Sequence, residues 1–169
     1  EALWLMGFIG GDEGSVKVAE KCLWDEDEHV AEIARLVLER MPGRFAHHAV
    51  MAAIGKADEE LRADLLFTLA KRGDREAFDT FVIFSASDHD GVRLSALEGL
   101  ARLADPRAVK VLLAVAAKTD DPLSRKIFQE ELRLADGLSA AGKVKDSRRL
   151  YEFALKNAPE DFQRERALH

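Results

Sequence analysis

One pattern constrains this chain more than any other: its apolar positions return every 31 residues. Val92, Ala96 and Leu100, with a turn at Asp105, fall 31 positions after Leu61, Leu65, Leu69 and Asp74. Those in turn fall 31 positions after Val30, Ala34, Leu38 and Gly43. Within each unit the apolar residues step by three and four, the spacing of a helix with one buried face. Each unit holds two such stretches, split by a helix breaker: Pro42-Gly43, Gly73-Asp74 and Asp105-Pro106, with Gly10-Gly11-Asp12 in a partial first unit. Acidic loops separate the units and place carboxylates where the next helix begins: Asp25 to Glu28, Asp58 to Glu60, Asp88-His89-Asp90 and Asp120-Asp121.

A helix pair this short cannot bury its apolar face alone, so it must stack on its neighbours. The expected result is an α-solenoid, with first helices on the convex side and second helices on the concave side. The segment "VRLSALEGLARLADPRAVKVLLAVA" closely resembles the HEAT repeat, in particular the short bacterial kind related to phycobilisome-lyase repeats. The resemblance covers about residues 1–120. It implies an all-α fold, a right-handed α–α superhelix of about ten helices, with units at about 1–27, 28–57, 58–88 and 89–121. Residues 122–169 depart from that pattern and are expected to form a helical hairpin continuing the same solenoid. There Leu134, Ala135, Leu138, Gly142, Ser147, Tyr151, Ala154 and Pro159 fall on the spacing of a tetratricopeptide repeat, with Glu131 a poor match at its tryptophan-like position.

The stretch "REAFDTFVIFSASDHD" tests the register. Phe78 to Ala86 is apolar on almost every side and by composition suits a buried strand as well as a helix. The 31-residue phase makes it the second helix of its unit, because Ala77, Phe81 and Phe84 then occupy the slots of Ala108, Leu112 and Val115. Phe78, Val82 and Ile83 are left over as an apolar excess beyond the core slots. The "SDHD" tail reads as the cap of the following helix rather than a metal clip.

Composition narrows the chemistry. A net charge of −6 argues against a general binder of phosphate backbones, which needs a basic face. The acidic loops form a rim along one edge. The intra-unit turns make the opposite edge more basic through Arg44, Arg72, Arg75 and Arg107, and both features also have a local cause in the helix dipole. Cys22 has no internal disulfide partner and fits an apolar slot; Trp4 and Trp24 fit core packing or a neighbouring unit. No run approaches the ~18 apolar residues of a membrane span. Opening on Glu1 and passing straight into "ALWLMGFI", the chain is expected to be cut from a longer one, and a cytoplasmic location is the expectation. His47 and His48 are adjacent and diverge on a helix, and no His-Glu dipeptide of the kind repeated in iron-binding HEAT hydroxylases occurs, so no metal or other cofactor is expected. Gly-rich phosphate loops, nucleophile elbows and usefully spaced Cys-His pairs are absent.

The remaining candidate is the face presented by the second helices. One row of equivalent positions reads Lys17, His48, Asp79 and Lys110; the next reads Glu20, Met51, Val82 and Leu113; a third reads Val16, His47, Phe78 and Val109. In the middle units the apolar surface thus extends past the core slots. Resemblance to HEAT proteins implies a non-enzymatic protein-interaction scaffold. Its partner, a protein or peptide rather than nucleic acid or membrane, would lie on the concave face against His48, Met51, Phe78, Asp79, Val82, Val109, Lys110 and Leu113. The same resemblance leaves two alternatives: a bilin-lyase-type accessory enzyme, which needs a tetrapyrrole-sized pocket, and a nucleic-acid-binding HEAT protein.

Overall fold

Short polar side chains start the helices. Asp12 accepts a hydrogen bond from the Ser15 amide at 3.0 Å, Asp27 from His29 at 2.9 Å, and Asp58 from Leu61 at 2.9 Å. At the position 31 residues after Asp58 the cap is His89, whose Nδ1 accepts from the Val92 amide at 3.4 Å. The computed structural model describes residues 11–118 and 123–157. Among them are nine α-helices: α1 (Glu13–Cys22), α2 (Glu28–Arg40), α3 (Arg44–Ile54), α4 (Glu59–Arg72), α5 (Phe78–Phe84), α6 (Asp90–Leu103), α7 (Arg107–Ala116), α8 (Ser124–Ala140) and α9 (Val144–Asn157). A 3-10 turn, Arg75–Ala77, leads into α5. The ambiguous apolar stretch is therefore helical, and no strand occurs among the described residues. Gly10, Trp4, Asp120, Asp121, Pro159 and His169 lie outside the described residues.

The sequence register is a packing register. Ala34, Leu65 and Ala96 are fully buried, as are Leu38, Leu69 and Leu100 in the first helices. Ala46, Ala77 and Ala108, and Val50, Phe81 and Leu112, do the same in the second. The first helices stack closely, α2 on α4, α4 on α6 and α6 on α8. Each second helix leans on the first helix of the following unit: α3 on α4, α5 on α6, α7 on α8. By contrast α3, α5 and α7 barely approach one another. The lean of α5 on α6 requires Gly99, because a Cβ there would meet the Phe81 ring at 2.4 Å.

Arginines tie the units together. Arg62 and Arg93 are equivalent positions, and both donate to carbonyls at the end of the preceding unit: Arg62 to Ile54 and Ala57, Arg93 to Ser87 at 2.8 Å. Arg72 fills the slot that Met41 and Leu103 fill elsewhere. Its guanidinium donates to the carbonyls of Leu38, Met41 and Gly43 at the end of α2 and to the Asp74 carboxylate at 2.7 Å. These carbonyls have no helical partner, so the arginine satisfies them.

The repeat runs on into α8, where Leu123, Ile127 and Glu131 follow Val92, Ala96 and Leu100 by 31 residues. No breaker stands at the next turn position, Asp136, and α8 continues to Ala140. Gly142, at φ +72, turns the chain into α9, which packs along α8. Leu134, Ala135, Leu138, Ser147 and Ala154 are buried, and the Tyr151 hydroxyl donates to Asp136 at 2.6 Å. Glu131 is the anomaly: a carboxyl in a leucine slot, 2% exposed, with Oε1 buried and unpartnered. Burial pushes it up to about 8. Cys22 is half-buried rather than buried, and Trp24 is largely exposed.

Candidate partner-binding face

The second helices repeat in register, so their outward residues form rows across the units. Lys17, His48, Asp79 and Lys110 are all exposed, a row of mixed charge. Met51, Val82 and Leu113 are half-buried and pack against the core. One residue further on, Ala52, Ile83 and Ala114 are exposed, and Gly55, Ala86 and Ala117 form another exposed row beside them. From α3 to α7 these three apolar rows hold no charged side chain. Ile83, 69% exposed, stands in the middle.

The expected contact set divides accordingly. His48, Asp79 and Lys110 reach solvent; Met51, Val82 and Leu113 show one flank. Phe78 and Val109 offer almost no surface, being 7% and 2% exposed. Their row is the one turned inward, and the Arg107 guanidinium covers the Phe78 ring at 3.9 Å from its centroid. His47 belongs to the same buried row. Its Nδ1 lies 3.1 Å from Asp74 Oδ2, the carboxylate that Arg72 also holds. In the 280 Å³ hollow beside it His47, Asp74 and Arg72 are bonded to one another, so this histidine is a satisfied core residue. Among the described residues no group of three or more His, Cys, Asp or Glu side chains is arranged to hold a metal ion, and no helix is long and apolar enough to cross a membrane.

Because α5 and α7 stand apart, a groove of 740 Å³ opens beside the apolar rows. The chain from Ser85 to Asp88 forms one wall. The other is α7 with the turn after it: Lys110, Val111, Ala114, Val115 and Lys118. Arg93 and Leu123 complete the lining. Lys110, Ala114 and Lys118 follow at intervals of four and so share one stripe. Arg93 is already engaged with Ser87 and Asp90, whereas Lys110 and Lys118 are exposed and make no ion pair with another described residue. Val111 and Lys118 were not singled out by sequence, and Val115, expected in a core slot, is only half-buried and lines the groove. The signal was the repeat itself, since they flank Lys110 and Leu113 on the same helix.

Helix pairs that repeat in fixed register and stack on their neighbours define an α-solenoid repeat protein. The profile of the family described as HEAT repeats matches residues 48–133, half of the chain, and the chain belongs to that family. Crystal structures of two engineered proteins from the Northeast Structural Genomics Consortium share the fold. One is 17% identical, with a TM-score of 0.58 over 97% of this chain and 80% of its own. The other is 19% identical, with a TM-score of 0.55 over 92% of this chain and 47% of its own. No curated protein matches the chain. HEAT-repeat solenoids are generally protein-interaction scaffolds.

Proposed function

We propose that this chain is a non-enzymatic scaffold, in a cytoplasmic setting, that receives a protein partner along its second-helix face. The observation that carries the reading is the uncharged field of three rows across three units, centred on Ile83, in a chain that is 33% charged. Single exposed apolar residues are ordinary on a soluble protein; here uncharged rows recur in register on three successive second helices, the pattern of an interaction surface. His48, Asp79 and Lys110 border it and would select among partners by polar contact; Phe78 and Val109 support it from beneath.

Selection of a random peptide-display library against the full chain tests this. Peptides recovered on the native protein should lose binding to the Ala52→Glu/Ile83→Glu variant, while its melting temperature stays within a few degrees of the parent. Both positions are exposed, so the variant separates binding from folding better than changes at Met51 or Val82, which rest on the core. Peptides that bind parent and variant alike would remove the face from consideration.

The groove favours one alternative: 740 Å³ with Lys110 and Lys118 in its lining suits an open-chain tetrapyrrole with two carboxylates. An unchanged bilin absorbance spectrum on mixing removes it.

A further inference from the structure

The geometry points to a second copy of this chain as an occupant of the second-helix face, in a two-fold dimer that sets α5 of each copy on α7 of the other. This rests on the reading of that face as the binding surface and names one partner for it. An isologous contact uses one patch twice, so the patch must carry both halves of each complement. Asp79 and Lys110 occupy equivalent positions on α5 and α7, carry opposite charge and are both exposed. Neither makes an ion pair with another described residue; Arg107 feels the charge of Asp79 but is bonded to Asp105 at 2.8 Å. Four residues on, Ile83 is 69% exposed, while its equivalent Ala114 is a short side chain on the groove wall. One position thus supplies a projection and its equivalent a recess.

Equivalent helices of a solenoid run in the same sense. A two-fold axis in the plane of the face, along the helices and midway between α5 and α7, therefore brings equivalent positions opposite each other. Asp79 meets the partner's Lys110, and Lys110 meets the partner's Asp79. Ile83 enters the groove beside the partner's Ala114, and symmetry repeats the contact. The neighbouring exposed residues Ala52, Gly55, Ala86 and Ala117 are small, so the two backbones can approach closely. The area is limited: about two turns of three helices amount to on the order of 400 Å² per copy, half of the about 800 Å² of a standard interface. The dimer is accordingly weak and forms at high concentration, and a tighter partner on the same face displaces it.

Sedimentation velocity of the full chain from about 5 to 500 µM tests this, a range set by the small area. The mass should rise with concentration from that of one chain towards that of two, and no further. Asp79→Lys and Lys110→Asp each put like charges together at both contacts, so each alone should weaken association about tenfold or more. An equimolar mixture of the two variants should associate as the parent does, because opposite charges then face each other at both contacts. A fold defect would not be rescued by mixing, and both positions are exposed, so melting of each variant should stay near the parent's. Association that ignores both charge changes, a mixture no better than the single variants, or growth beyond two copies would overturn the inference. A parent that stays monomeric throughout the range, yet binds selected peptides that are lost with Ala52→Glu/Ile83→Glu, would overturn it and leave the face as the binding site. A monomeric parent that binds no peptide would overturn the inference and the face together.

Discussion

Replacing Glu131 by leucine should stabilise the protein, and by an amount that depends on pH. Three earlier units carry leucine in this slot: Leu38, Leu69 and Leu100, all fully buried. Glu131 sits there 2% exposed, with one carboxyl oxygen buried and unpartnered, and burial raises it from 4.5 to about 8. Between those values the carboxyl is protonated in the fold and ionised in the unfolded chain. The fold therefore has its full contribution below pH 4.5 and loses it as pH climbs towards 8. At pH 7 the loss is about 3 kcal/mol, from the distance between 4.5 and 7 at about 1.4 kcal/mol per pH unit. With the packing gain of about 1 kcal/mol added, the total of about 4 kcal/mol is, for a chain of this length, a rise in melting temperature of roughly 8–16 °C for Glu131→Leu at neutral pH. Near pH 4.5 only the packing gain should remain, about 1 kcal/mol. Glu130, pushed up to about 7 by burial and opposed by Arg133, titrates in the same sense but is present in both proteins. The quantity to read is thus the difference between variant and parent, from urea unfolding at pH 4.5, 6 and 7.5. A difference that does not grow with pH, or a variant no more stable at pH 7.5, would refute the reasoning.

Other substitutions probe the remaining unusual contacts. Arg72→Ala should cost about 2–4 kcal/mol in urea unfolding, since it leaves the carbonyls ending α2 unpaired, whereas Arg102→Ala, at an exposed ion pair with Glu98, should cost less than about 1 kcal/mol. Gly99→Ala should cost about 1–3 kcal/mol by thermal melting, because its Cβ enters the Phe81 ring, and adding Phe81→Leu should recover part of that loss. Ala104 ends α6 at φ +48, so Ala104→Gly should gain about 0.5–1 kcal/mol; an unchanged melting temperature would show that the turn is not strained.

The repeat was legible because each core slot is filled by one residue class in successive units. Ala46, Ala77 and Ala108 need only be aligned to be recognised as one position. The exceptions were hidden for the same reason. Arg72 looks like a basic residue at a helix end until it is placed in the slot of Met41 and Leu103, and Glu131 looks like a mismatched tetratricopeptide position until it falls beneath Leu100. Phe78 and Val109 share an apolar row with His47, and periodicity alone does not say which of two adjacent rows turns inward. That depends on the lean of each second helix onto the next unit. The groove is further still from the sequence: it exists because α5 and α7 stand apart, a distance that no row of residue types records.

The uneven stacking of the two layers has a functional consequence. Continuity of the solenoid resides in the first helices, packed face to face and tied by Arg62, Arg72 and Arg93. The second helices α3, α5 and α7 are each anchored on the layer below and hardly touch one another, whereas α1 packs against α3. A side chain entering between α5 and α7 therefore displaces no helix–helix packing between them. Exposed positions such as Ile83 and Ala114 are free to be chosen for a partner, because substitutions there leave the close-packed layer as it is. The two kinds of variant should accordingly separate: changes at Glu131, Gly99 or Arg72 move stability, and changes at Ala52 or Ile83 move binding.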